Sequence, residues 1–150
     1  MDVLASLDPQ TMNNTNAVVL KPLTREDLHP SPPLRNRHKS RGPPSNLRAL
    51  GYLTPWPLME QYAVDNKIAE GDSPFQRATA AWNQIRDRLP PESCTYILAR
   101  DFNMAPCFVI GSNKNPQQLK RAEDLDLINR TRSALGIDLG PPGWYAPGRA

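Results

Sequence analysis

The chain has 150 residues, 22% of them charged, and a formal net charge of +3. Its hydrophobic content of 39% is low, and nine of its seventeen prolines fall in the first 57 residues, so a core spanning the whole chain is not expected. No apolar run approaches the roughly 18 residues of a membrane-spanning helix, and no basic, apolar leader opens the sequence, so a cytoplasmic or nuclear protein without a membrane partner is expected.

The charge divides by segment. Residues 1–49 hold seven Lys/Arg against four Asp/Glu, and residues 50–140 hold ten against eleven. No acidic residue occurs between Asp27 and Glu60, whereas Arg35, Arg37, Lys39, Arg41 and Arg48 all do. Residues 1–54 read as a Pro-rich, largely extended basic arm suited to anionic partners. Val3, Leu4 and Leu7 form one apolar turn, and Val18-Val19-Leu20 is a short extended piece of high β-propensity. Thr24 caps a one-turn helix through Leu28, stopped by Pro30. Ser45 caps a single turn through Leu47 and Leu50, ended by Gly51. Such separated apolar beads cannot offset the entropy of ordering, so the arm by itself is expected to be mostly disordered.

From Trp56 the pattern becomes periodic. Leu58 to Glu70 predicts a helix with Pro57 in its first turn and Gly71 as its C′ residue. Ser73-Pro74-Phe75-Gln76 is a capping box with proline at N1. It opens a second helix whose Phe75, Ala78, Trp82, Ile85 and Leu89 fall at spacings of 3 and 4, one narrow apolar face. Arg86 and Arg88 suit its C-terminal dipole, and Pro90-Pro91 ends it.

Cys94–Asp101 and Pro106–Ile110 predict a β-hairpin. A turn centred between Asn103 and Met104 sets Ile97 opposite Ile110 and Arg100 opposite Cys107. Both faces are then apolar, which a two-stranded hairpin cannot sustain alone. The expected cover for its open edge is a second chain or Val18-Val19-Leu20. Asn115-Pro116 starts a third helix running to about Leu135 and closed by Gly136. Residues 141–150 are a Gly/Pro tail in which Trp144-Tyr145 reads either as a partner-docking peptide or as a segment folded back on the core. The expected architecture is α+β: a small helix-helix-hairpin-helix core over residues 55–140, preceded by the arm and followed by the tail.

Little in this pattern points to catalysis. The two histidines, His29 and His38, both fall in the arm, so Ser/His/Asp and Cys/His arrangements and most zinc sites find no support. Cys94 and Cys107 lie too far apart in the expected register for a disulfide. Cys107 beside Arg100 offers at most a thiol of lowered pKa. Asp101-Phe102-Asn103 and Glu70-Gly71-Asp72 have turn composition, which explains them without a metal. No phosphate-binding glycine motif occurs, so no cofactor and no small-molecule substrate are inferred.

The basic run stands above background. Arg35, Arg37, His38, Lys39, Arg41 and Arg48 can follow a phosphate backbone or meet an acidic partner. The expected function is a non-enzymatic interaction or assembly protein, RNA-binding or otherwise nucleic-acid-binding, forming a homo-oligomer or hetero-complex in a capsid- or ribonucleoprotein-like role. Its core docks or self-associates while its arm contacts nucleic acid or neighbouring subunits. The first alternative is a regulatory adaptor that binds one protein through Val18, Val19, Leu20, Trp144 and Tyr145 and uses the run for localisation. The second is a small enzyme using Asp101, Cys107 or Asp72.

Overall fold

The structure, a computed structural model, describes residues 20–35, 46–91 and 96–148. The expectations for Val3, Leu4, Leu7, Val18, Val19, Arg37, His38, Lys39, Arg41 and Cys94 lie outside these residues. The described chain is mixed α+β. Strand β1 (Ala49–Leu53) is followed by helices α1 (Trp56–Asp65) and α2 (Pro74–Arg88), the hairpin β2 (Tyr96–Ala99) and β3 (Ala105–Ser112), helices α3 (Pro116–Ala122) and α4 (Leu125–Leu135), and β4 (Gly143–Tyr145). The sheet is antiparallel, in the order β2-β3-β1-β4.

Strand β1 corrects the turn expected through Leu47 and Leu50, whose expected cap, Ser45, lies outside the described residues. Its five residues are all apolar or glycine, and strands pair with it on both edges, β3 on one and β4 on the other. Gly51 is required there: a Cβ would run into the Phe108 carbonyl and the Cys107 sulfur. The glycine that reads as a stop signal is thus a close approach of two strands. A bulge between Leu50 and Gly51 adjusts the register against β3.

The hairpin register also differs from expectation. Tyr96 pairs with Phe108 and Ile97 with Cys107, so Arg100 does not face Cys107. The turn is longer than expected because Asn103 (φ 54°) and Met104 (φ 58°) are both left-handed, and the Met104 N–H donates to the Ala99 carbonyl at 3.1 Å. The slip exchanges which side chains share a face. Phe108 now lies beside Tyr96 against the helices, stacked on Trp82 at 4.9 Å, while Tyr96 meets the Trp82 ring edge-on at 5.1 Å.

Helices α1, α2 and α4 cover that face through Met59, Tyr62, Trp82, Ile85, Ile128 and Leu135, all buried. Ser73 and Gln76 form the expected capping box of α2. Phe75, expected on the apolar face, is instead 68% exposed and lies against Trp56 at 5.8 Å. Helix α1 stops at Asp65, five residues before the expected end, where a turn through the left-handed Lys67 and Ala69 takes over. The third expected helix is two: Asp124 accepts from the Leu127 N–H at 3.2 Å and caps α4 afresh. Gly136 closes α4 in the left-handed conformation expected of it.

Within the stretch read as an arm, residues 20–35 pack on the fold. A 3-10 turn (Arg25–Asp27) follows Thr24, whose N–H donates to the Asp27 carboxylate at 2.8 Å and holds it below its ordinary pKa. Leu23 is buried, and Asn129 of α4 grips its backbone from both sides, accepting from its N–H at 2.8 Å and donating to its carbonyl at 3.1 Å. Arg132, 7% exposed, donates to the Lys21 carbonyl at 2.6 Å and pairs with Asp138 at 3.2 Å.

The second face of the sheet is closed from within the chain. Past β4, at the edge away from β2, the tail crosses to β2: Pro147 bridges Ala99, the Arg100 N–H donates to the Ala146 carbonyl, and the Gly148 N–H donates to the Leu98 carbonyl. The four strands therefore roll towards a closed barrel, with Gly51 and the small, buried side chains of Ala49, Ala99 and Cys107 on the inner side. The open edge that called for another chain has the tail as its partner. Among the described residues no helix is long and apolar enough to cross a membrane.

Candidate nucleic-acid interface

Asn113, fully buried at the end of β3, fastens both ends of the basic stretch. Its side-chain amide donates to the Pro33 carbonyl at 2.9 Å and to the Asn46 carbonyl at 2.6 Å, and its side-chain oxygen accepts from the Arg48 N–H at 2.8 Å. Its backbone accepts from the Arg35 N–H at 2.8 Å and donates to the Arg48 carbonyl at 3.1 Å. One residue thereby satisfies the backbone on each side of residues 36–45, as a buried amide must be satisfied to be tolerated. Arg35 and Arg48, eleven and one residues before Asn46 and Ala49 respectively, stand at the two roots of the cationic stretch, and Lys114 follows the staple directly.

A groove of about 340 Å³ opens beside these roots, at the end of the rolled sheet. Ala49 from β1, Ile97 from β2, Val109 from β3 and Pro147 from the tail form its apolar wall, and Arg48, Ser112, Lys114, Asn115 and Gln118 lie on its polar side. Two cations and no carboxylate line it. Arg48 is half-buried with its backbone locked by Asn113, whereas Lys114 is exposed. Asn115 also caps α3, accepting from the Gln118 N–H at 2.8 Å. The chemistry on offer is anion binding next to an apolar surface.

The other candidates separate from this site. Cys107 is fully buried, and burial pushes its thiol up to about 12, the opposite of an activated nucleophile. Asp101 is exposed in the hairpin turn and Asp72 is exposed in the loop before α2. Among the described residues no group of three or more His, Cys, Asp or Glu could hold a metal ion. His29, read as remote from the core, lies exposed on a cleft of about 200 Å³ with Ser31, Glu123 and Trp144. There the Ser31 hydroxyl donates directly to the Glu123 carboxylate at 3.1 Å, whereas a relay needs the imidazole between them.

Trp144 and Tyr145 fold back as β4. Trp144 packs on the core and Tyr145 meets Phe102 edge-on at 5.2 Å. Leu20 is half-buried and in no strand. Reading residues missed Asn113, Lys114 and Gln118. The signal that could have found them is an asparagine at a strand end with no helix of its own to cap, next to a lysine. Compared with protein-family models, curated proteins and solved structures, the chain matches none.

Proposed function

We propose that this chain is a non-enzymatic interaction protein that binds single-stranded nucleic acid through the basic stretch rooted at Asn113. The observation that supports it most directly is the staple itself. Pro33, Arg35, Asn46 and Arg48, which flank in sequence the interval holding Arg37, His38, Lys39 and Arg41, are all fastened to one buried asparagine. The interval carries no carboxylate in its sequence. A packed domain that presents such a segment can follow a phosphate backbone without reading base sequence.

The test is the salt dependence of binding to a random-sequence single-stranded RNA, measured by fluorescence anisotropy on the full chain. Five cations, each displacing about 0.7 counterions per phosphate of a single strand, give a log–log slope near −3.5. Replacing Arg35, Arg37, Lys39 and Arg41 by alanine should flatten that slope and weaken binding. A quadruple variant that binds like the parent refutes the reading.

A further inference from the structure

Strand β4 pairs with β1 only from Ala49 to Gly51. The last two residues of β1, Tyr52 and Leu53, therefore have β3 on one side and, among the described residues, no strand on the other. A cleft of about 280 Å³ lies there, walled by Tyr52 and Leu53, by Leu58 of α1, by Leu139 and Pro141 of the loop after α4, and by Tyr145 of β4. Among the described residues that line it, none is charged. Leu53, Leu58, Leu139 and Tyr145 are only half-buried, so apolar surface is left accessible. We propose that this cleft is the docking site of the chain's own Val18-Val19, the two residues immediately before Leu20.

The course of the chain from Leu23 back to Lys21 aims those valines at the cleft. Asn129 of α4 holds the Leu23 backbone, and Arg132, almost one turn further on, holds the Lys21 carbonyl. Read in that direction, the chain runs along α4 towards its C-terminal end. The same Arg132 guanidinium pairs with Asp138 at 3.2 Å, next in sequence to Leu139 of the cleft wall. The Asp138 carboxylate accepts from the Gly140 N–H at 3.1 Å, and the Gly140 carbonyl accepts from the Tyr52 hydroxyl at 3.0 Å. A run of hydrogen bonds thus leads from the Lys21 carbonyl to the cleft. Val19 and Val18 stand two and three residues before Lys21, and an extended chain covers about 7 and 10 Å in those steps.

The chemistry of the cleft matches that occupant. It is too small for a helix and lies just below the roughly 300–1,000 Å³ of small-molecule sites, a size for a pair of aliphatic side chains. Valines are stiff and β-prone, so they lose little side-chain entropy when they extend the sheet beside Tyr52 and Leu53. A tethered segment also competes at an effective concentration on the order of millimolar, an advantage that a free partner offering two apolar side chains lacks. The inference is independent of the nucleic-acid reading, because the cleft carries no charge.

The experiment is NMR on the full chain with isotope-labelled valine and leucine methyl groups. The Val18 and Val19 methyls should show NOEs to the Tyr52 or Tyr145 ring and to the Leu58 or Leu139 methyls. Val18→Asp combined with Val19→Asp should remove those contacts and move the Leu58 and Leu139 resonances. It should also speed amide exchange at Leu20 and Lys21 about tenfold, while the resonances of the Trp82–Phe108 stack stay in place. Random-coil shifts for both valines without NOEs overturn the docking, and so do NOEs to any other part of the fold. Unchanged Leu58 and Leu139 resonances in the double variant overturn it as well. A mixture of labelled and unlabelled chains identifies the copy that supplies the valines. Contacts within one chain support the docking, whereas contacts only between chains assign the cleft to a second copy and overturn it.

Discussion

Asn113→Ala isolates the staple. The substitution removes the donor to the Pro33 and Asn46 carbonyls and the acceptor for the Arg48 N–H. The Arg48 N–H is left without its acceptor, and about 1–3 kcal/mol is typical for such a group. The two carbonyls each lose one hydrogen bond of two they can accept, about 0.5–1.5 kcal/mol apiece. The sum centres on about 3–4 kcal/mol, a sizeable fraction of the roughly 5–15 kcal/mol that holds a domain together. Thermal denaturation followed by circular dichroism should then show a midpoint lower by roughly 10 °C, at about 3–4 °C per kcal/mol for a domain of this size. Asn113→Asp keeps the acceptor but turns a carboxylate towards two carbonyls, and should be the less stable of the two at neutral pH. If Asn113→Ala melts within about 2 °C of the parent, the bonds to Pro33, Asn46 and Arg48 do not hold the basic stretch in place.

Trp82→Ala should destabilise by about 3–5 kcal/mol, since the indole is buried between Phe108 and Tyr96, and urea denaturation would register it. Cys107, its pKa raised from 9.0 to about 12, should resist a thiol reagent at pH 8 in the native protein and react at once in denaturant. Because its folded pKa lies above the unfolded one, its contribution is intact below about pH 9 and falls as pH rises towards 12, so alkaline titration of stability should decline across that window. Asn129→Ala should free the Leu23 backbone from α4, and faster amide exchange at Leu23 and across residues 20–28 would report it.

Legibility in the sequence followed how local each signal is. The α2 capping box and the Asn115 cap are set by side chains three residues from their partners, and both were readable. The break between α3 and α4 was not, because Asp124 recaps the chain without disturbing the apolar spacing that carries through from Leu119 to Leu135. Strand β1 was invisible for a different reason. A strand paired on both edges and buried at nearly every position lacks the alternation that marks a half-exposed one, and its single glycine mimics a terminator. The hairpin was readable as a hairpin but not in register, since nothing in Asn103-Met104 announces two consecutive left-handed residues outside glycine.

The site was legible only in its charge. Its framework joins residues 65, 67 and 80 positions apart through one asparagine, a separation no local pattern encodes. The same non-locality alters the case for association. A hairpin apolar on both faces demands cover, and that demand pointed to a second chain while the tail was read as free and β1 as a turn. With β1 paired to β3, Pro147 bridging Ala99, and Ala49, Gly51 and Cys107 small enough to let the sheet roll, the demand is met internally over most of the sheet. What stays open is the groove where half-buried Ile97 lies beside buried Val109, near Arg48 and Lys114. The apolar demand of the hairpin therefore no longer calls by itself for a second chain.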